Sequence, residues 1–109
     1  MTAYAIIRAN VKNDGKVKEY MPLASVAVEK FGGKYIARGG KYISKEGASY
    51  ERNVIVKFAS LEVAEAMYES IEYKKARNAL GDGMDRLFVI VEGLEWNWLI
   101  AIIFKILEN

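Results

Sequence analysis

Apolar positions along the chain follow two spacings, and the switches between them mark out the elements. Tyr4 to Val11 (YAIIRANV) is short, β-branched and bounded by Asn13-Asp14-Gly15, which predicts a first strand. From Lys16 to Phe31 the apolar residues Val17, Tyr20, Met21, Ala24, Ala27, Val28 and Phe31 recur at three and four, the helical spacing, until Gly32-Gly33 stops them. Pro22 lies inside that stretch and removes a hydrogen bond, so a kink or a restart is expected there. Lys34 to Ile43 reads as a second strand interrupted by a bulge at Gly39-Gly40. Asn53 to Ala59 (NVIVKFA) predicts a third strand, with Ser60 as the N-cap of a helix carrying Leu61, Ala64, Met67, Tyr68 and Ile71. That helix should break near Ser70 and resume from Glu72 to Leu80. After the turn Gly81-Asp82-Gly83, the nearly continuous apolar run Arg86 to Val91 (RLFVIV) predicts a fourth strand.

The order β-α-β, β-α-β defines an α+β class: two split halves of a ferredoxin-like βαββαβ sandwich, in which helices cover one sheet face and leave the other bare. An apolar bare face on so small a domain predicts that two sheets meet face to face, making a homodimer that encloses an α/β barrel. The domain should span 1–93. Beyond Gly93, ten large apolar residues crowd into positions 94–107, among them Trp96, Trp98, Ile102, Ile103 and Phe104. That run is short of the roughly 20 apolar residues a membrane crossing needs. Residues 94–109 are therefore expected to be a C-terminal extension, helix or strand, packed on the domain or on the partner subunit rather than on a membrane surface.

With 109 residues, 52% of them hydrophobic, the chain can bury one core, and it contains neither histidine nor cysteine. Imidazole and thiolate chemistry are thereby excluded: no disulfide, no histidine base for a serine nucleophile, no thiolate or imidazole metal ligand. No cofactor and no metal are expected. The opening MTAYAIIRANVK lacks the basic and apolar regions of a signal peptide, and a cytoplasmic location follows as the expectation. A net charge of +2 gives no support to nucleic-acid binding, although 11 Lys/Arg face 5 Asp/Glu in residues 1–57 and 5 face 9 in residues 58–109.

The residues Tyr4, Gly32-Gly33, Ala37-Arg38-Gly39-Gly40, Phe58-Ala59-Ser60-Leu61, Ala64, Tyr68, Ser70, Tyr73 and Val91-Glu92-Gly93 together resemble an uncharacterised domain-of-unknown-function family of small bacterial proteins in the dimeric α/β-barrel superfamily. The resemblance spans about residues 3–94 and departs at Met67 and Ile71, where members often carry tryptophan and proline. It implies the ferredoxin-like dimer but no particular reaction, since the superfamily includes cofactor-free oxygenases, isomerases, haem enzymes and ligand-sensing modules. Haem is disfavoured by the missing histidine.

Strand alternation places Ala5, Ile7, Ala9 and Val11 towards the helices, and Tyr4, Ile6, Arg8 and Asn10 on the bare face. The same reading puts Val54, Val56 and Phe58 under the helices and Ile55, Lys57, Ile36, Arg38, Phe88, Ile90 and Glu92 on the bare face. Buried inside a dimer, the cations in that set would call for an anion. The expected ligand is a small amphipathic carboxylic acid, bound by Arg8, Asn10, Arg38, Lys57, Phe88, Ile90 and Glu92. An arginine fork suits a carboxylate because it can hold both oxygens. Cofactor-independent oxygenation or isomerisation is the enzymatic alternative, with Glu92 as base and Tyr4, Tyr35, Tyr68 or Tyr73 as donors to a developing oxyanion, though no spacing assigns catalytic residues. A structural or interaction module without a ligand is the third reading. The repeated Gly-Gly-Lys-Tyr-Ile at 32–36 and 39–43 lacks a phosphate-loop pattern, and Gly81-Asp82-Gly83-Met84-Asp85 lacks calcium-ligand spacing.

Overall fold

The structure is a computed structural model that describes residues 1–94 and 98–108. Its elements are β1 (Ala3–Val11), α1 (Asp14–Lys30), β2 (Lys34–Arg38), β3 (Arg52–Phe58), α2 (Leu61–Glu69), α3 (Ile71–Leu80), β4 (Met84–Glu92) and α4 (Trp98–Glu108). The four strands form one antiparallel sheet in the order β2-β3-β1-β4. This is the ferredoxin-like arrangement, with α1, α2 and α3 on one face.

Local chemistry fixes the helix ends. Asn13 caps α1 by accepting from Lys16 N, and Ser60 caps α2 by accepting from Val63 N. Ser70 works on both sides of the predicted break: its Oγ donates to Met67 O at 2.6 Å and accepts from Tyr73 N at 3.1 Å. The polypeptide thus changes direction with a carbonyl at the end of α2 and an amide at the start of α3 both bonded to one hydroxyl. After α1, Gly33 passes so near the core that a β-carbon there would lie 2.7 Å from Phe58 Cε1.

The core lies between sheet and helices. Ala3, Ala5 and Ala9 of β1 are fully buried, and Val56, Phe58, Met67 and Tyr73 are its largest sealed side chains. Each of the aliphatic and phenyl groups among them contributes about 1.5–3 kcal/mol by leaving water. The alanines matter differently, because their short side chains leave space between the central strand and the helices.

One expectation is narrowed, since the helix does not restart at Pro22, and one is corrected. α1 is a single helix through Pro22, since its buried stripe of Val17, Tyr20, Ala24, Ala27 and Val28 packs on one core on both sides of the proline. The second strand ends at Arg38 rather than Ile43; Gly39, at φ +65°, turns the backbone away, and Ile43 is exposed. Its irregularity falls between Tyr35 and Ala37, ahead of the two glycines.

The apolar extension is helical over Trp98–Glu108, and Ile102, Ile103, Phe104, Ile106 and Leu107 are exposed. Trp96 and the side chains of Trp98, Leu99 and Ile100 lie outside the described residues. Among the described residues, no helix is long and apolar enough to cross a membrane.

Candidate functional site

The structure divides the predicted site residues between the two faces of the sheet. Arg8, Asn10 and Lys57 are on the bare face as expected, since Tyr4 pairs with Lys57, and Arg8 with Asn53, out of phase with the buried alanines. Arg8 and Asn10 are held by the chain itself. Arg8 Nε donates to Asn53 Oδ1 at 3.0 Å and its guanidinium lies over the Tyr50 ring, while Asn10 donates to Ser49 O and accepts from Glu51 N. These contacts tether the β2–β3 loop to the central strand.

Phe88, Ile90 and Glu92 are not on the bare face. Ala5 pairs with Ile90, Ile7 with Phe88 and Ala3 with Glu92, so all three share the side covered by helices. Phe88 and Ile90 pack against the core, whereas Glu92 is exposed at the end of β4. Arg38 is also displaced from its expected face, because the irregularity after Tyr35 brings it opposite Val54 and towards α1, where it donates to Ser25 Oγ at 3.0 Å. The side chains that take their place on the bare face of β4 are Leu87, Val89 and Val91, each about half exposed. That face is more apolar than the sequence reading supposed.

On the helix side, β4 carries a residue that sequence reading missed. Arg86 projects under α1 and α3 and donates from Nη1 to Tyr20 Oη at 3.1 Å and to Tyr73 Oη at 3.2 Å. The two phenol oxygens are themselves 2.6 Å apart. Tyr20 comes from the buried stripe of α1, and Tyr73 from the first turn of α3 set by the Ser70 cap. Around them Tyr68, Tyr73 and Phe88 form a ring cluster with centroids 5.0–6.0 Å apart. Burial, reinforced by Tyr20, pushes the Tyr73 hydroxyl above the ordinary phenol range against the opposing pull of Arg86. Tyr73 therefore keeps its proton. Burial disfavours the Arg86 charge, but the two phenols outweigh it and its pKa is raised; the guanidinium is a cation throughout.

A count of protons shows what this cluster lacks. One phenol donates to the other, which leaves the second phenol with a proton and Arg86 with further N–H groups, and no acceptor meets them among the described residues. The surplus borders a cavity of about 40 Å³ between sheet and helices. Ala5, Ala9 and Ala24 give it room, Met67 and Phe88 give it apolar walls, and Arg38 and Arg52 stand at its other side. Among the described residues no carboxylate pairs with Arg38, Arg52 or Arg86; the ion pairs Lys16–Asp82 and Lys30–Glu72 lie elsewhere. A wider groove of about 390 Å³ runs between α2 and β4, lined by Leu61, Glu65, Tyr68, Glu69, Phe88 and Ile90. Among the described residues there is no cluster of three acidic side chains that could hold a metal ion.

Fold and cavity together define a ferredoxin-like α+β protein with a cationic, phenol-lined pocket beneath its helices. The chain belongs to the domain-of-unknown-function family DUF1330, whose pattern matches residues 2–94. Its structure is similar to that of a protein of unknown function from Rhodopseudomonas palustris, with 13% identity, a TM-score of 0.68, and 87% and 84% of the two chains covered. It is similar too to a dimeric ferredoxin-like protein of unknown function from Jannaschia sp. CCS1, at 14% identity, TM-score 0.60 and coverage of 85% and 100%. A candidate antibiotic biosynthesis monooxygenase from Caulobacter crescentus CB15 shares the fold at 12% identity, TM-score 0.54 and coverage of 85% and 91%. No curated protein matches the chain.

Proposed function

We propose that the protein binds a small organic acid in the cavity between sheet and helices, its carboxylate received by Arg86, Tyr20 and Tyr73. The observation that carries this reading is the donor surplus: a guanidinium and two phenol oxygens converge with at least one phenol proton unused. A guanidinium and one free phenol proton fixed around one point suit a carboxylate, since charge-assisted hydrogen bonds gain strength in a site screened from water. Met67 and Phe88 are apolar walls, and a volume of about 40 Å³ limits a ligand's carbon body to very few atoms. The anionic ligand expected from sequence is kept, and its place moves from the bare face to the helix side. The bare face, with Ile6, Ile55, Leu87, Val89 and Val91, has the composition of a homodimer interface, and a structural neighbour is described as dimeric.

Native and denaturing mass spectra of the freshly purified chain test both parts. The expected result is a dimer carrying a small acid that is released on denaturation, with occupancy lost in Arg86→Gln. A retained ligand whose occupancy is unchanged in Arg86→Gln would overturn the site, and a monomer would overturn the assembly.

The same donors favour a second, catalytic reading. A phenol that holds its proton beside a guanidinium can stabilise an enolate or phenolate oxygen as charge develops on it. In that case Tyr73→Phe abolishes turnover of an oxidisable phenol or an enolisable acid while binding of the acid persists; full activity in Tyr73→Phe excludes it.

A further inference from the structure

α4 is apolar on more sides than packing against one core requires. A helix that covers a core needs an apolar stripe about 100° wide, with polar residues around the rest. At about 3.6 residues per turn, Ile102, Ile103 and Ile106 fall on one side of α4 and Phe104 and Leu107 on another, with Lys105 and Glu108 between them. These five apolar side chains are exposed, from 44% at Phe104 to 76% at Leu107, so neither side is buried on its own domain. The family's pattern ends at residue 94, ahead of this helix. The groove of about 390 Å³ between α2 and β4 has the composition to receive it. Leu61, Tyr68, Phe88 and Ile90 make it apolar, and Glu65 and Glu69 complete its lining, both exposed and neither in an ion pair among the described residues. Lys105 is the one cation in residues 93–109.

We infer that α4 of one subunit docks in the α2–β4 groove of its partner, one apolar side against the groove and Lys105 at Glu65 and Glu69. The inference rests on the homodimer of the proposed function and is independent of the acid site. Two arguments select a second copy as the occupant. The first is continuity. β4 is an edge strand whose two faces border both surfaces: Phe88 and Ile90 line the groove, while Leu87, Val89 and Val91 lie on the bare face. Facing sheets pack about 10 Å apart, and the six-residue step from Glu92 to Trp98 can span up to about 20 Å, so a helix that follows β4 can pass round the sheet edge onto the partner. The second is the pair of apolar sides. Folding back into its own groove would use one of them, whereas a helix wedged between two subunits has two surfaces to meet. By twofold symmetry the exchange is reciprocal, with two helices in two grooves. This is helix-in-groove recognition, with apolar anchors giving affinity and the acidic lining setting the register.

The chain has no cysteine, so a pair of thiols can be introduced without background. The full chain carrying Glu65→Cys and Lys105→Cys together is treated with a short bismaleimide and run on a denaturing gel. The expected result is a covalent dimer for the double variant and monomer for each single variant. A linker bridging both thiols within one chain would place α4 in its own groove, and a covalent dimer from Lys105→Cys alone would pair the two helices with each other; either overturns the inference. Light scattering of the same samples separates the failures. A monomer overturns the dimer reading and the inference with it, whereas a dimer that yields no crosslink overturns the inference alone. Ile103→Asp and Leu107→Asp, one change on each apolar side, should abolish the crosslink when added to the double variant, and an undiminished yield would count against the docking. Binding of the wild-type chain to phosphatidylglycerol vesicles that is lost in Ile103→Asp/Leu107→Asp, with no crosslink in the double variant, would assign α4 to a lipid surface instead. Circular dichroism establishes that each variant folds; should Glu65→Cys not fold, Glu69→Cys in the same groove takes its place with the same outcomes.

Discussion

The two faces of this sheet are built from alternate residues of the same four strands, yet they have opposite character. The face beneath the helices, where a core belongs, holds Arg86, Arg52 and two paired tyrosines around a cavity. The face without helices, where polar residues would meet water, carries a central apolar patch of Ile6, Ile55, Leu87, Val89 and Val91, with Arg8 and Lys57 on the same face. Polar groups are affordable in the first case because they satisfy one another and await one acceptor. Apolar groups are tolerable in the second when a further surface covers them. On the proposed reading the contrast separates two tasks by geometry: acid binding within one protomer, and association through the opposite face. Each should therefore be breakable without the other.

The largest effect is expected from Val89→Lys. Val89 lies on the bare face beside Ile6 and is 54% exposed in the single chain. A symmetric dimer would bury two unpaired ammonium groups there, each costing on the order of 3–5 kcal/mol. Light scattering after size-exclusion should show monomer, with acid binding retained; a persisting dimer would mean that the sheet faces do not meet. On the opposite face, Tyr73→Phe removes the hydroxyl shared by Arg86 and Tyr20 and should cost about 1–3 kcal/mol in thermal unfolding while the dimer survives. Tyr73 also gives the contrast a pH signature. Its folded pKa is raised, so the folded form keeps a proton that the unfolded chain loses above the ordinary value of 10.0. Stability from this group is full below that pH and declines as pH rises beyond it. Melting curves should fall on the alkaline side for the wild type and less steeply for Tyr73→Phe; equal slopes would refute the sealed phenol.

How much of this was legible in the sequence depended on whether polar residues interrupt a strand. β1 alternates alanine and isoleucine with Arg8 and Asn10, and β3 sets Lys57 among valines, so both phases could be read and the predicted core of Val54, Val56 and Phe58 is the observed one. β4 has no such marker. RLFVIV is apolar on both faces, and its one cation points inwards, which inverts the reading of Phe88, Ile90 and Glu92. Arg38 was misplaced for another reason: the irregularity at Ile36 shifts every later side chain of β2 to the other face, and no glycine or proline marks it. The serine caps at 60 and 70 were readable because their chemistry is local. Tyr73 was among the candidate donors, whereas Arg86 and Arg52 were missed. A signal did exist, since two tyrosines on buried helical stripes need partners for their hydroxyls, and a long donor on the adjoining strand supplies one.

The smallest expected effect lies at the rim of the helical layer, where Lys30 of α1 meets Glu72 of α3 at 2.9 Å and Lys16 meets Asp82 after α3. The hydrogen bond from Lys30 holds the Glu72 carboxyl below its ordinary 4.5, and that from Lys16 holds Asp82 below 3.8. A lowered folded pKa means that the unfolded chain takes up protons first as pH falls. The stabilisation is therefore complete above these ordinary values and is lost as pH drops through the lower, folded ones. Asp82 is exposed and Glu72 partly so, so salt screens them and the acid limb should be shallow beside the alkaline limb set by the sealed Tyr73. Melting temperatures followed from pH 6 to pH 2 in low and high salt should show a decline below about pH 4.5 that salt diminishes and that Glu72→Gln reduces. A decline as steep as the alkaline one would place a buried carboxylate in the fold and undo the division between a charged, water-facing rim and a phenol-lined interior.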